Sequence, residues 1–259
     1  MIVPPLTWLY VPADRPERVE KALASSAHAV IVDLEDGVSP SAKEEARANL
    51  HLLGAHLPHA EKRVYVRVNA GSAADLEAVA RFALDGVLVP KVERPGHVPD
   101  LDLPVLCLIE SAAGVEAAYD IARHSRVAGI SLGEADLRSQ TGASDLDWAR
   151  ARIVNAAVAA GLPRPPQSVY PHIHDEEGLA RSCRRGRELG HLGRTAIHPT
   201  QLPVILAAYL PTEDELARAR ETIERLESEG VGTLGDGEFV DAAMLGAARQ
   251  VVAIVERYG

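Results

Sequence analysis

A (β/α)8 TIM-type barrel of the α/β class, with a short helical C-terminal extension, is the fold this sequence predicts. Three observations carry the prediction. Eight short apolar runs alternate with amphipathic segments, the rhythm of parallel strands joined by helical crossovers. The chain has 259 residues, a length that suits one barrel with a tail. Apolar residues make up 47% and aromatic residues only 4%, so the core must be built from Val, Leu, Ile and Ala, which fill parallel sheets buried on both faces. An open doubly wound sheet alternates in the same way; the strand count favours closure.

Thr7–Val11 (TWLYV) reads as the first strand. Its helix, Pro16–Ser25, places Val19, Ala22 and Leu23 at helical spacing. Ala29–Leu34 (AVIVDL) is the second strand. Ser39 then caps a helix with Pro40 in its first turn, and Ala42, Ala46, Leu50, Leu53 and Leu57 form one apolar stripe. Arg63–Val68 is the third strand and Ala73–Leu84 its helix. Gly86–Pro90 is the fourth. Pro104–Ile109 is the fifth, followed by a helix over Ala112–His124. Val127–Leu132 is the sixth, followed by a helix over Leu146–Ala160. Gln167–Tyr170 is a weaker seventh strand, with a helix over Glu176–Leu189. Thr195–Ile197 is a short eighth.

These elements assign residues 1–210 to the barrel and 211–259 to the extension. In the extension Thr212 and Glu215 form a capping box. A turn-rich stretch, Gly230–Gly237, separates that helix from a last one carrying Leu245, Ala248, Val252 and Val255 on one face.

The formal net charge of -10 argues against a nucleic-acid binder, which needs excess Lys and Arg, and against docking on an anionic membrane. A local cation and a few arginines can still create a site for a small anion. Cys107 and Cys183 show no metal-ligand or disulfide spacing. The first residues, MIVPPLTWLYV, lack the basic lead of a signal peptide, and no apolar run is long enough to span a bilayer. A soluble cytoplasmic protein is the expectation.

Polar residues gather where the strands end. Asp14 and Arg15 follow the first, Glu35 and Asp36 the second. Arg67 and Asn69 end the third, Lys91 and Glu93 follow the fourth, and Glu110 and Ser111 the fifth. Glu134 and Asp136 follow the sixth, and His198 the eighth. In a barrel these ends converge on one face, where active sites are built. Converging carboxylates repel unless a cation sits between them. Mg2+ suits one or two carboxylates and keeps its other positions for water or substrate oxygens. Arg67 has the fork that matches a carboxylate. Blander roles compete: Glu93 and Glu134 as solvated loop residues, His172 and His174 likewise, Ser111 as a helix cap, Asp36 as a turn residue before Gly37, and His198 as either a base or a strand-end anchor.

Seven stretches resemble, in order, the citrate lyase β-subunit-like proteins of the HpcH/HpaI aldolase superfamily, which includes the malyl-CoA and citramalyl-CoA lyases. They are LYVPADRPERVEKAL (Leu9–Leu23), VIVDLEDGVSPSAKEEAR (Val30–Arg47), VRVNA (Val66–Ala70), VLVPKVE (Val87–Glu93), LIESAAGV (Leu108–Val115), LGEADL (Leu132–Leu137) and AIHPTQL (Ala196–Leu202). The resemblance implies a barrel and a homotrimer or hexamer. It implies Mg2+ held by Glu110 and Asp136, substrate oxygens gripped by Arg67, and Glu35 and Asp36 holding metal-bound water. It further implies cleavage of a citryl-, malyl- or citramalyl-type thioester to an acyl thioester and a 2-oxo acid. The carrier, CoA or an acyl-carrier protein, stays open, as do the partner subunits of a citrate lyase complex.

In CoA-dependent relatives an Asp on a C-terminal lid protonates the product. DGEFVDAAMLGAAR (Asp236–Arg249) resembles that lid and puts Asp241 at the matching place, though Ala242 and Ala243 stand where many relatives have a proline. A helix N-cap is the plainer role for Asp241. Two other functions fit the same residues: an aldolase acting on free 2-oxo or 2-hydroxy acids, and a non-catalytic metabolite-binding subunit.

Overall fold

The chain is a (β/α)8 TIM-type barrel followed by a helical part. The computed structural model describes residues 3–56 and 62–259, and Leu57 of the predicted apolar stripe lies outside them. The chain divides into two compact units, one of Pro5–Leu206 and one built from Ala207–Gly259 with the first few residues.

In the larger unit the elements run β1 (Thr7–Pro12), α1 (Pro16–Leu23), β2 (Ala29–Asp33), α2 (Lys43–Asn49), α3 (His51–His56), β3 (Arg63–Arg67), α4 (Ala73–Val79) and β4 (Gly86–Val89). They continue with β5 (Val105–Ile109), α5 (Ala112–Glu116), α6 (Ala118–Ala122), β6 (Val127–Leu132), α7 (Glu134–Thr141), α8 (Asp147–Ala159), α9 (Glu176–Glu188) and β7 (Arg194–Ala196). All pairings in this sheet are parallel, in the order β6-β5-β4-β3-β2-β1-β7.

The predicted seventh strand is reduced to a single parallel bridge, Gln167 to Arg194. Pro163, Pro165 and Pro166 precede it. A proline has no N–H to donate, so this segment cannot supply a full ladder. The segment continues the barrel order all the same, since Gln167 lies beside β7 and β7 lies beside β1.

Three predicted helices are shorter or broken, and one of them, Ala73–Leu84, ends early at Val79. The Ser39 segment begins as a 3-10 turn, Pro40–Ala42, and Ser39 makes no side-chain cap; its hydroxyl meets Ser41 instead. Ala112–His124 divides into α5 and α6 at Ala117.

Strand pleating sets the interior. Side chains on a strand alternate between faces, so residues two apart share one face. Trp8, Ala29, Ile31, Tyr65, Leu88 and Leu108 form one buried cluster, with Tyr10 and Leu106 packed against it. Trp8 pairs with Ala29 and Ile31 with Tyr65 in the strand register. One pleat step further along these strands stand Tyr10, Asp33, Arg67 and Glu110. The core layer thus passes directly into polar residues at the strand ends.

The smaller unit holds the last turn of α10 (Leu202–Tyr209), then α11 (Glu213–Glu229), the hairpin β8 (Gly232–Thr233) and β9 (Phe239–Val240), and α12 (Leu245–Tyr258). Thr212 and Glu215 make the predicted capping box in full. Leu226, Leu234 and Val240 form its core, with Leu245 packed on them. Among the described residues no helix is long and apolar enough to cross a membrane.

Candidate active site at the strand ends

Asp33 is the last residue of a strand that is buried along its whole length. Its register partner on β3 is Arg67. Arg67 Nε donates to Asp33 Oδ1 at 2.7 Å, and Nη2 donates to Oδ2 at 2.6 Å. The same carboxylate accepts the backbone N–H groups of Glu35 and Gly37, each at 2.8 Å. A Cβ at residue 37 would lie 2.5 Å from Asp33 Oδ2, so glycine is what allows this approach. Arg67 also pairs with Glu35 through Nη1, at 3.1 Å, and lies over the Tyr10 ring, 4.8 Å from its centroid.

These contacts fix the charge states. Burial opposes the charge on Arg67, but the Asp33 hydrogen bonds and the surrounding anions raise its pKa above the ordinary value. Burial also pushes the Glu35 carboxyl up, against the pull of Lys91 and Arg67. Burial raises the Tyr10 hydroxyl, so it stays protonated.

Glu110 follows β5 and is 7% exposed. It packs on Gly133, where a Cβ would lie 2.8 Å from Glu110 Cγ. Asp136 stands in the first turn of α7, and its carboxyl is hydrogen-bonded to that of Glu110. Burial first, then this bond, lifts the Glu110 pKa to about 8. Two carboxyls held this closely repel each other when both are charged, a cost that a cation between them would relieve.

Lys91 joins the two halves. Its backbone N–H donates to Glu110 Oε1 at 3.0 Å, and its Nζ donates to Glu35 Oε1 at 2.7 Å. Beside it a cavity of about 480 Å3 opens between the ends of β3 and β4, lined by Val68, Leu76, Val89, Lys91 and Val98 among others. That is room enough for a small-molecule ligand.

Glu35, Arg67, Glu110 and Asp136 therefore come together in one linked cluster. Asp36 stays at its edge, 63% exposed and 4.0 Å from Lys91 Nζ. Asp241 belongs to the other unit, where its carboxylate accepts from the Ala243 N–H and caps a 3-10 turn. Ser111 caps α5 through Gly114. His198 bonds Thr200 and caps the 3-10 turn Pro199–Gln201. Glu93, His172 and His174 are exposed, as the blander readings expect. Glu134 is not a solvated loop residue: it forms a two-pronged ion pair with Arg150 and its side chain is 15% exposed.

Sequence reasoning missed Asp33 and passed over Lys91 as a strand-end charge. Asp33 was masked by the apolar run that contains it. Its signal was the alternation itself, Ala29, Ile31, Asp33, which turns it toward the same face as the core layer.

The donor set tests the fit of a metal. Asp33, Glu35, Glu110 and Asp136 place four carboxyls against two cations, Arg67 and Lys91. Among the described residues no group of three or more His, Cys, Asp or Glu is arranged around a metal position. Two carboxylates and open positions suit a hard divalent cation that keeps water or substrate oxygens, and do not suit zinc.

Comparison with known proteins agrees in sequence and in fold. The chain is 34% identical to a (3S)-malyl-CoA thioesterase of Cereibacter sphaeroides, over 96% of this chain and 93% of the relative. It is 37% identical to a citrate lyase subunit beta-like protein of Mycobacterium tuberculosis, over 92% and 91%. The crystal structure of CitE from M. tuberculosis in complex with magnesium, acetoacetate and coenzyme A superposes with a TM-score of 0.83 at 35% identity, covering 98% of each chain. Residues 6–199 match the HpcH/HpaI aldolase/citrate lyase family. With most of its length inside that match and these relatives along the rest, the chain is a member of the HpcH/HpaI aldolase/citrate lyase family of lyases.

Proposed function

We propose that this protein is a Mg2+-dependent carbon–carbon lyase that cleaves a citryl-, malyl- or citramalyl-type thioester into an acyl thioester and a 2-oxo acid. The observation that carries the reading is the hydrogen-bonded carboxyl pair Glu110–Asp136 in one cluster with the Arg67 fork. Relatives support it: a citrate lyase beta subunit of M. tuberculosis, 36% identical, is known in complex with oxaloacetate and magnesium.

Glu110 and Asp136 are the residues that would hold the cation. Bound there, Mg2+ would supply Lewis-acid chelation of a 2-oxo or 2-hydroxy carboxylate. Arg67 binds the substrate's carboxylate or carbonyl oxygens with the N–H groups that Asp33 and Glu35 leave free. Glu35 and Asp36 order water at the edge of the site. As a base takes the hydroxyl proton and the C–C bond breaks, the hydroxyl carbon becomes the carbonyl of the 2-oxo acid and the departing half keeps the electron pair as a thioester enolate. Asp241, carried on the tail as a lid and supplied across a subunit boundary in a homotrimer or hexamer, protonates the enolate carbon.

A second reading follows from the thioesterase among the relatives, hydrolysis of the same thioester. Malyl-CoA separates the two. Lyase action yields acetyl-CoA and glyoxylate, whereas hydrolysis yields malate and a free thiol. Turnover of free hydroxy acids alone, with all thioesters left intact, overturns both readings in favour of a free-acid aldolase. Asp136→Asn keeps the volume and removes a charge; activity unchanged at ordinary Mg2+ would remove the metal from the proposal.

A further inference from the structure

Among the described residues Lys91 is the one non-glycine in the left-handed region, at φ 57°. A residue with a Cβ adopts that conformation only where its surroundings hold it there. The strain has no counterpart in stability. Lys91 is half-exposed, and its ion pairs with Glu35 and Asp36 are of the half-solvated kind that contribute little to folding.

What the conformation achieves is geometric. The main-chain N–H of Lys91 reaches Glu110 Oε1, and its side chain reaches Glu35 Oε1. The other oxygen of Glu35 lies 3.1 Å from Arg67 Nη1. One residue therefore touches the carboxyl pair by its backbone and the Arg67 fork, through Glu35, by its ammonium. We propose that Lys91 is the positioning residue that couples the two halves of this site, fixing Glu110 through its main chain and Glu35 with Arg67 through its side chain. The inference rests on the functional reading above, in which one half holds a divalent cation and the other a 2-oxo acid.

A rival role for a lysine beside a carbonyl substrate is imine formation, which needs a neutral amine. The hydrogen bond to Glu35 raises the Lys91 pKa and keeps the ammonium charged.

Three variants separate the main-chain role from the side-chain role: Lys91→Gly, Lys91→Met and Lys91→Arg. Glycine keeps the N–H and tolerates the left-handed backbone, so the bond to Glu110 survives while the ammonium is lost. Calorimetric titration of the full chain is done with Mg2+ alone, then with oxaloacetate at saturating Mg2+. For Lys91→Gly the Mg2+ affinity is expected to stay within about threefold of wild type while oxaloacetate binds on the order of tenfold more weakly, the loss of one charge-assisted contact. Lys91→Arg recovers most of the oxaloacetate affinity and Lys91→Met does not. The thermal midpoint of Lys91→Gly stays at or above that of wild type, which a purely structural lysine would not allow.

Equal weakening of both ligands in Lys91→Gly, or of neither, overturns the inference, and so does a failure of Arg to rescue where Met fails. If the wild-type chain itself binds no oxaloacetate in the presence of Mg2+, the functional reading falls and takes the inference with it. If wild type binds both and the glycine variant matches it, only the inference falls.

Discussion

Asp33 and Arg67 are register partners on neighbouring parallel strands, and their side chains meet in a two-pronged ion pair of 2.7 and 2.6 Å. The strand pairing that builds the barrel therefore also aims the arginine. A side chain with several rotatable bonds arrives at the site already oriented, with Asp33 on one edge and Glu35 on another.

Breaking that pair is expected to be costly. Asp33→Ala leaves a buried guanidinium with half of its support, at a cost of about 3–5 kcal/mol in unfolding free energy. It also strands the Glu35 and Gly37 N–H groups. Urea unfolding measures the first effect. A double-mutant cycle with Arg67→Met should show strong coupling, since each single change removes the same contact. Simple additivity would mean that the pair contributes nothing jointly.

The Glu110–Asp136 pair predicts a pH dependence of metal binding. Glu110 holds its proton up to about pH 8, well above its unfolded value of 4.5. A cation must displace that proton, so Mg2+ affinity rises as pH rises toward 8. Calorimetry in buffers of different ionisation enthalpy should reveal a proton released on binding at pH 7. In metal-free protein the folded state binds more protons than the unfolded one between pH 4.5 and 8, so this group's stabilisation fades as pH rises through that window. Added Mg2+ should accordingly raise the thermal midpoint more at pH 8 than at pH 6.

His191 pulls the other way. It is 1% exposed, its Nδ1 is bonded to the Pro165 carbonyl, and burial lowers its pKa to about 4. The unfolded chain takes up a proton near 6.5 that the folded chain refuses, so stability contributed above pH 6.5 is lost as pH falls toward 4. Comparing unfolding midpoints of wild type and His191→Gln across this range should show a shallower acid slope in the variant. Identical slopes would remove His191 as the cause.

Gly133→Ala adds a methyl where Glu110 Cγ lies 2.8 Å away. Glu110 is expected to shift by several tenths of an ångström, weakening Mg2+ binding on the order of tenfold with only a small change in thermal midpoint. Unchanged Mg2+ affinity would show that Glu110 relaxes freely.

Asp241→Ala should slow product protonation while Mg2+ binding stays intact. Mixing Asp241→Ala with Asp136→Asn subunits tests a shared site. Recovery of activity on mixing indicates that one subunit supplies the cation site and another the acid, and no recovery confines both to one chain.

Seven of the eight predicted strands were legible because parallel barrel strands are short, apolar and regularly spaced, and β6 matches its predicted bounds at both ends. Arg67, Glu110 and Asp136 were legible as charges placed where apolar runs stop. Asp33 was not, because reading outward from strand ends skips the last residue inside the strand. Lys91 was visible only as a charge, since nothing in composition announces a left-handed backbone at a residue other than glycine or asparagine. Asp75 was hidden for a related reason. It is fully buried and orders the turn after β3 by bonding Asn69, Ser72 and Arg47, a task that leaves no periodic trace.

The single pleat step between the apolar layer and the polar one has a further consequence. Tyr10, Asp33, Arg67 and Glu110 come from four different strands and share one face only while all four strands hold their places. A slip of any strand by one residue would turn its polar member outward and bring an aliphatic neighbour in. Ligand capture would then report on barrel assembly: a refolding mixture that recovers helix content ahead of 2-oxo acid binding would contain mis-threaded barrels, and the lag between the two signals would time their correction.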